Sequence, residues 1–315
     1  MSHSFPKLES VDSIVESLAT AGYICNEQIA TVVYLAAALK KPILVEGPPG
    51  VGKTELAKSC AQVTGAPLVR LQCYEGLDES KAIYEWKYGK QLLYTQLLKT
   101  QLSEVMEGAQ GLRASVERLH SFDDVFFSKE FLEPRPLLQA IDAEGGVVLL
   151  VDEIDKADFE FESLLLEVLS DFQVSIPELG TLKGRSKPLV FLTSNDTRDL
   201  SDALKRRCLH LHIDFPTTEL EGRIVRARVP QITEAMTDHL VTFVSKVREM
   251  DLKKLPSVSE TIDWAKSLVL LHADSLDEEL VKASLNALLK YEEDLTSVVE
   301  NLVDLLNTEK QAANA

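Results

Sequence analysis

Cysteine is scarce in this chain of 315 residues, and its positions argue against two kinds of site. The four cysteines are far apart, and no two of them have the spacing of a metal-ligand pair or of a redox motif. They are Cys25, Cys60, Cys73 and Cys208. We therefore expect buried, reduced thiols in a cytosolic protein rather than a metal or redox centre.

The sequence also lacks a long apolar run. No stretch approaches the roughly 20 residues that a membrane-spanning helix needs. Residues 1–10 lack the charged and then apolar pattern of a signal peptide. We therefore expect no membrane span and a cytoplasmic location. Internal repeats and low-complexity tracts are absent too, and a composition of 45% apolar and 26% charged residues is typical of a globular core.

Basic residues are also few relative to acidic residues. The chain has 33 Lys and Arg residues against 50 Asp and Glu residues, a formal net charge of −17. No long basic block offsets this balance, since Lys205-Arg206-Arg207 is the densest cationic cluster. An acidic surface repels nucleic-acid phosphate and anionic lipid, so we expect no nucleic-acid partner. The balance does not identify a partner, because many acidic proteins have no special one.

One stretch carries a specific pattern. A short apolar run, Ile43-Leu44-Val45, is followed by a glycine-rich loop and then by a helical pattern. The order strand, glycine loop and helix is the context of a phosphate-binding loop. We expect a nucleotide to be held by Gly47, Pro48, Pro49, Gly50, Val51, Gly52, Lys53, Thr54 and Glu55.

The residue types in this loop suit an anion. Glycines let the backbone curl until successive N–H groups point at phosphate oxygens. The N-terminal end of the following helix attracts the same anion. Lys53 adds positive charge for the β and γ phosphates, and Thr54 offers a hydroxyl to Mg²⁺. The alternative, an ordinary glycine turn, does not account for the strand before the loop and the helix after it.

Hydrolysis of a nucleotide also needs carboxylates, and a second apolar run ends in two of them. Val147 to Val151 is typical of a buried parallel strand, and Asp152-Glu153 follows it. We expect Asp152 to hold Mg²⁺ and Glu153 to polarise the attacking water. Buried carboxylates are costly unless something uses them, although a solvated strand end remains the alternative.

Asn195 closes the next apolar run, Leu189 to Thr193. Because parallel strands end at the same edge of a sheet, its amide should lie beside Glu153. There it would hold the attacking water or the γ phosphate. A plain turn is the alternative, since Ser-Asn-Asp is good turn chemistry.

Arg206 and Arg207 end the helix that follows this strand. Cations at a helix C-terminus are favourable for local reasons, so a structural role is one interpretation. The other is an arginine finger that reaches the γ phosphate of a neighbouring subunit. We favour Arg207 as the finger and Arg206 as a second contact in trans.

The order of the predicted elements favours an α/β fold. Strand, helix and strand follow one another, which predicts a parallel sheet. The segment after the second strand is too long for a simple connection and is interpreted as an insertion. From Pro216 onward no buried strand appears, and the segments read as helices. We predict an α/β nucleotide-binding domain at 1–215, an insertion at about 75–135, and a second, all-helical domain at 216–315.

Three aromatic residues alternate within the insertion. Tyr84, Trp86 and Tyr88 share one face of a predicted strand, Ile83 to Tyr88. Such a stripe is most often core packing. The pattern further predicts helices at Gln91 to Met106 and Leu112 to Leu119.

Together these stretches resemble an AAA+ ATPase. The resemblance rests on GPPGVGKTE, VVLLVDEID, FLTSND and LKRRCLHLHIDFP, with a helical C-terminal lid. Within that superfamily the chain resembles the MoxR branch. It is further similar to the subgroup associated with carbon monoxide dehydrogenase maturation (CoxD-like), through LQCYEGLDESKAIYEWKYGKQLL, FLEPRPLLQAI, LSDFQVSIPELGT and PSVSETIDWAKSL.

This resemblance implies a P-loop core with a five-stranded parallel sheet, an insertion in the second helix and a helical lid. It implies a homo-hexamer that hydrolyses ATP, with Mg²⁺, between subunits. Members of the branch remodel or activate a client enzyme, often during metal-cofactor insertion, with a partner that carries a von Willebrand A domain. The aromatic stripe would then face the pore or the client. One departure is that Ser257-Val258-Ser259-Glu260 lacks the arginine found at this place in many lids, so the lid sensor stays unassigned.

The leading hypothesis is a Mg²⁺-dependent ATPase that acts as a chaperone on a client metalloenzyme. A nucleotide-switched binding module with little turnover is the second hypothesis, and the complete set of acidic and amide residues argues against it. A nucleic-acid motor uses the same core, but the net charge of −17 and the lack of a basic stripe disfavour it. A small-molecule kinase would leave the lid and the arginine pair without a role.

Overall fold

The structure is a computed structural model that describes residues 5, 7–99, 127–273 and 275–306. Up to residue 212, strands and helices follow one another. These elements are α1 (Val11–Thr20), α2 (Glu27–Leu39), β1 (Ile43–Glu46), α3 (Lys53–Thr64), β2 (Leu68–Gln72), α4 (Glu79–Ala82), β3 (Tyr84–Trp86), α5 (Tyr88–Lys99), β4 (Leu132–Pro134), α6 (Pro136–Asp142), β5 (Val148–Asp152), α7 (Phe159–Asp171), β6 (Gln173–Ile176), β7 (Gly180–Lys183), β8 (Leu189–Ser194), α8 (Asp202–Arg207) and β9 (Leu209–His212).

Five strands form one parallel sheet in the order β2-β5-β8-β1-β9. Alternate residues of β5 belong to two different cores: Leu149 and Val151 pack in one, and Val148 and Leu150 in the other. Both faces of this strand are therefore covered, which explains its continuous apolar run. The predicted α/β fold with a five-stranded parallel sheet is confirmed.

The topology brings the polar strand ends together. Because all five strands are parallel, their carboxyl ends lie along one edge of the sheet. Glu46 ends β1, Asp152 ends β5 and Ser194 ends β8. The phosphate loop, the carboxylates and Asn195 each begin at this edge, so the sheet positions the whole site.

In the insertion, β3 pairs antiparallel with β4. The predicted strand over Ile83 to Tyr88 was too long, because α5 already begins at Tyr88. Trp86 is 7% exposed and packs edge-to-face on Phe127 at 5.3 Å, whereas Tyr88 is 65% exposed. The aromatic residues are therefore not one stripe. The predicted helix Gln91 to Met106 is confirmed as far as Lys99, within α5. The rest of that helix and Leu112 to Leu119 lie outside the described residues.

From residue 216 onward, the regular elements among the described residues are helices joined by loops. These helices are α9 (Thr218–Arg228), α10 (Glu234–Arg248), α11 (Val258–Leu270), α12 (Glu278–Ser284), α13 (Glu292–Glu300) and α14 (Leu302–Leu306). They enclose a core of their own around Trp264, whose indole N–H donates to Ser284 Oγ at 2.9 Å. A core of its own is what a separate helical domain would need in order to fold. The domain boundary at 215/216 stays a prediction.

Arg248 ties this helical segment to the connection that precedes it. Its guanidinium forms a two-bond ion pair with Glu221 at 2.6 and 2.8 Å, and Glu221 is fully buried. The same guanidinium donates to Pro256 O at 2.8 Å and lies 4.6 Å from the ring centre of Phe215. The pair therefore fixes α9 and α10 at the point where the chain leaves the sheet.

The described thiols are free, and three of the four are buried, with Cys208 half-buried. Burial raises the pKa of Cys73 and of Cys208 to about 12. These thiols are therefore protonated at neutral pH, as expected for reduced packing residues. Among the described residues, no helix is both long and apolar enough to cross a membrane.

Candidate functional site

The loop between β1 and α3 has the backbone of an anion cradle. Gly47, Gly50 and Gly52 adopt positive φ angles of 145°, 77° and 100°. A Cβ on Gly47 would lie 1.9 Å from Ile213 O, and one on Gly50 would lie 2.4 Å from Ser257 Oγ. Only glycine fits these two places, because the loop backbone packs directly against Ile213 and Ser257.

Lys53 occupies the centre of this loop. Its Nζ donates to Gly47 O at 2.7 Å, to Pro48 O at 2.6 Å and to Asn195 Oδ1 at 2.8 Å. The residue is 6% exposed. The ammonium is therefore held where a phosphate bound in the loop would meet it.

Burial lowers the pKa of Lys53 to about 8, and the carboxylates of Asp155, Asp152 and Glu153 act against this effect. The lysine therefore stays largely charged at neutral pH. An anionic phosphate beside the ammonium would raise this pKa again.

Asp152 connects the end of β5 to the loop. Its Oδ1 accepts from Thr54 Oγ1 at 2.9 Å and from Thr193 Oγ1 at 2.6 Å, and its Oδ2 accepts from Arg70 Nη2 at 2.6 Å. The residue is 3% exposed. A carboxylate and a hydroxyl in contact are oxygen donors of the kind that Mg²⁺ prefers, so this pair fits the ion.

Glu153 is held in a strained conformation. Its φ is 57°, and its backbone N donates to Thr193 Oγ1 at 2.9 Å. Its Oε2 accepts from Lys156 Nζ at 2.6 Å and from Gln72 Nε2 at 2.8 Å, while Oε1 lies 3.5 Å from Asn195 Nδ2. Positive φ for a non-glycine residue is uncommon and is found at functional sites.

The side chain of Asn195 stands between the loop and the carboxylate. Its carbonyl oxygen accepts from Lys53, and its amide N faces Glu153. The predicted proximity of Asn195 to Glu153 is therefore what the structure has, and Lys53 contacts the same amide. The chemical roles of these residues stay predictions.

These residues line the polar part of a cleft of about 280 Å³. A more apolar cavity of about 530 Å³ adjoins it. The two share Gly50, Gly52, Glu55 and Ser259. The apolar part is lined by residues that include Tyr23, Ile24, Ile29, Val51, Ile213, Phe215, Leu220, Ile224 and Ile262. The cleft can therefore hold a ligand with an anionic end and a flat or apolar end.

The helical segment closes one side of this cleft. Arg228 of α9 donates to Glu55 Oε1 at 2.7 Å, and Ser259 of α11 donates from N and Oγ to Gly50 O, each at 3.3 Å. Glu55 thus pairs with an arginine of the helical segment while it lines both parts of the cleft. Arg228 lines the apolar cavity, so the helical segment does bring a cation to the site, from a helix other than α11.

Arg206 and Arg207 lie elsewhere. Both are exposed at the end of α8, and neither lines the cleft of its own chain. Arg207 Nε donates to Ser170 Oγ of α7 at 2.7 Å. A contact of these arginines with nucleotide would therefore have to come from another subunit, and the trans role stays a prediction.

Sequence reasoning missed three polar residues at this edge: Arg70, Gln72 and Thr193. Arg70 and Gln72 lie on the same side of β2 and bond to Asp152, which ends the neighbouring strand β5, and to Glu153, which follows it. The available signal was the alternation of polar residues in Leu68 to Gln72. It did not reveal their partners, because the order of the strands was unknown.

A family model described as "AAA domain (dynein-related subfamily)" matches residues 42–208, more than half of the 315 residues. The protein belongs to this family. The matched region contains the phosphate loop, the carboxylates, Asn195 and both arginines. The sequence's resemblance to AAA+ proteins is confirmed at this level, and a nucleotide-binding P-loop domain is what the family entails.

Two curated proteins are similar at low identity. The gas vesicle ATPase GvpN of Haloferax mediterranei is 28% identical over 225 residues, which are 66% of this chain and 57% of GvpN. The chain thus spans little more than half of that relative. An uncharacterized protein of Staphylococcus aureus (strain bovine RF122) is 26% identical over 237 residues, 73% of this chain and 75% of that protein.

Solved structures of Thermotoga maritima RuvB align over most of the chain. The structure titled as its Holliday junction branch migration motor has a TM-score of 0.46 and 18% identity, and the alignment covers 96% of this chain and 80% of that one. A mutant of the same protein reaches a TM-score of 0.48 at 17% identity, with 94% and 79% covered. A likeness at this level identifies neither substrate nor partner.

Proposed function

We propose that the protein is an ATPase that hydrolyses ATP with Mg²⁺. The observation that carries this proposal is the position of Asn195, whose amide contacts Lys53 at 2.8 Å and faces Glu153 at 3.5 Å. A phosphate cradle, an amide and a carboxylate in this order match what γ-phosphate hydrolysis needs. The apolar cavity beside the loop would receive the base and ribose.

Each residue would have a separate task in cis. Lys53 would bind the β and γ phosphates, while Thr54 and Asp152 would hold Mg²⁺. The ion supplies charge neutralisation of the phosphate oxygens when it is bound. Glu153 would accept the proton of the attacking water, and Asn195 would orient that water or the γ phosphate.

Arg70 competes with Mg²⁺ for Asp152 under this proposal, because its Nη2 lies 2.6 Å from Oδ2. Arg70→Ala is expected to lower the Mg²⁺ concentration for half-maximal ATP binding about fivefold, as suits an ion pair worth about 1 kcal/mol when half-exposed. Titration of Mg²⁺ with a fluorescent ATP analogue measures this. Arg70→Lys keeps the charge and should change the midpoint less. An unchanged or higher midpoint in Arg70→Ala would show that the guanidinium does not compete.

The other half of the site is proposed to come from a neighbouring subunit of a homo-hexamer, through Arg207 with Arg206 beside it. Support comes from their exposure at the end of α8, away from the cleft of their own chain. Removing an arginine finger lowers turnover about 10³–10⁵-fold.

Mixed oligomers test this arrangement. Lys53→Ala and Arg207→Ala chains should each be inactive alone. A one-to-one mixture should recover about one quarter of wild-type ATP turnover, because random assembly in a closed ring completes about one site in four. A chain with both substitutions, mixed with either single variant, is the control and should recover nothing. No recovery in mixed rings of folded single variants would count against a shared site.

We further propose a MoxR-type, CoxD-like role, in which ATP turnover remodels or activates a client metalloenzyme with a von Willebrand A partner. Support comes from the stretches quoted above and from the similarity to a protein named a gas vesicle ATPase. Turnover measured with and without the client separates this role from a nucleotide-switched binding module, which would bind ATP but turn it over negligibly in both conditions.

A further inference from the structure

A pair of polar side chains joins the loop of Asn195 to the loop of Glu153. Thr197 donates to Asp155 Oδ2 from its backbone N at 3.2 Å and from its Oγ1 at 2.6 Å. Asp155 lies in the short 3₁₀ turn Ile154–Lys156. Each partner is thus two residues beyond a residue of the proposed active site, and the pair links the ends of β5 and β8.

The carboxylate of Asp155 is buried, and one of its two oxygens has no hydrogen-bond partner among the described residues. The residue is 4% exposed, and the oxygen in question is Oδ1. A buried carboxylate with an unpartnered oxygen costs free energy. The hydrogen bonds from Thr197 are therefore the ones that this carboxylate accepts among the described residues.

Arg198 anchors the same segment on its other side. Its Nη2 donates to Ala157 O at 2.6 Å and forms an ion pair with Glu162 Oε1 at 2.6 Å. Glu162, 1% exposed, also accepts from the backbone N of Ser201 through Oε2 at 3.0 Å. The chain beyond Asn195 is therefore fixed to α7 and to the turn before it, rather than free to shift.

Asn195 itself depends on these anchors. Asp196, which follows it, has a φ of 58°, a conformation that is uncommon for residues other than glycine. Asp196 is the one residue between Asn195 and Thr197, so the bonds that hold Thr197 also restrict the backbone that carries the Asn195 amide.

We propose that Asp155 and Thr197 are positioning residues that hold the Asn195 amide between Lys53 and Glu153. This inference rests on the proposed ATP hydrolysis at the same site. A displacement of about 1 Å in a reacting geometry can cost about 100-fold in rate. Loss of one of the two bonds should therefore affect the rate of hydrolysis more than the affinity for nucleotide.

Asp155 also acts on Lys53. Among the carboxylates that oppose the effect of burial on the pKa of Lys53, Asp155 acts most strongly. A change at Asp155 would thus alter charge as well as position. Thr197 offers the cleaner test, because it is uncharged and exposed, and Thr197→Val keeps its shape while it removes the hydroxyl.

The experiment compares Thr197→Val with Thr197→Ser, which keeps the hydroxyl. We expect Thr197→Val to lower kcat for ATP about tenfold, with KM within about threefold and the Kd for ADP within about twofold of wild type. Its preference for a non-hydrolysable ATP analogue over ADP should fall about threefold, because the amide would contact the γ phosphate under the proposed function. Thr197→Ser should restore both quantities. Thr181→Val, an exposed threonine of β7 outside the cleft, is the matched control.

Two results would overturn the inference. One is a Thr197→Val chain with unchanged kcat and unchanged preference between the two nucleotides. The other is a joint loss of kcat, ADP affinity and thermal stability, which indicates a structural role. If the wild type itself hydrolyses no ATP, the proposed function fails, and the ratio of the two affinities in Thr197→Val still decides the positioning role.

Discussion

Glu153→Gln is expected to hydrolyse ATP about 10²–10⁴-fold more slowly than the wild type, while it still binds nucleotide. The amide has nearly the same shape as the carboxylate but cannot accept a proton from water. The Oε1 of Glu153 faces Asn195. The hydrogen bonds of Lys53 Nζ go to Gly47 O, Pro48 O and Asn195 Oδ1 and not to this carboxylate. Steady-state turnover and binding of a fluorescent ATP analogue measure the two quantities on the same preparation.

Glu160→Gln is the matched control for this prediction. Glu160 is an exposed residue in the first turn of α7, outside both parts of the cleft, so its substitution should leave turnover unchanged. Equal turnover in Glu153→Gln and the wild type would remove Glu153 as the base. Loss of binding together with turnover would show that the carboxylate supports the loop instead.

Arg248→Ala is expected to lower the free energy of unfolding of the helical segment by about 3–5 kcal/mol. The substitution leaves Glu221, which is fully buried, without its charge partner, and removing one partner of a buried ion pair costs about this much. The contacts with Pro256 O and the Phe215 ring are lost as well. Chemical denaturation followed through tryptophan fluorescence in a Trp86→Phe background measures the loss, because the remaining tryptophan, Trp264, is buried in this core.

Arg226→Ala provides the comparison on the neighbouring surface of α9. Arg226 is more exposed, and its nearest carboxylates, Glu234 and Asp238, are each 3.7 Å away. An exposed pair of this kind contributes about 0–1 kcal/mol. If both variants lose the same free energy of unfolding, the buried pair does not stabilise the segment more than an exposed pair does. The expected contribution of Arg248 is then wrong.

The residues that sequence reasoning placed best are those with a local pattern. The run Val147 to Val151 predicted a buried strand because both of its faces are covered, and the loop before Lys53 carries its own glycine spacing. Asn195 was placed beside Glu153 from one rule, that parallel strands end at the same edge. Each of these inferences needed only neighbouring residues and the type of sheet.

The residues that it missed have distant partners. Arg70 meets Asp152 across 82 positions, and Arg228 meets Glu55 across 173. Such pairs depend on which strands adjoin and how the helical segment docks, and no local periodicity contains that information. At Tyr88 a local pattern led to a wrong prediction. The alternation of aromatic residues continues to Tyr88, although α5 already begins at that residue.

The first turn of α11 lies directly on the phosphate loop, with Ser257 where a Gly50 side chain would be and Ser259 bonded to the Gly50 carbonyl. A larger residue at position 50 would push the helical segment outward as well as distort the loop. Loss of nucleotide binding in such a variant would then have two sources. The same contact gives any movement of the loop upon phosphate binding a direct route to α11, without a charged sensor at the start of that helix.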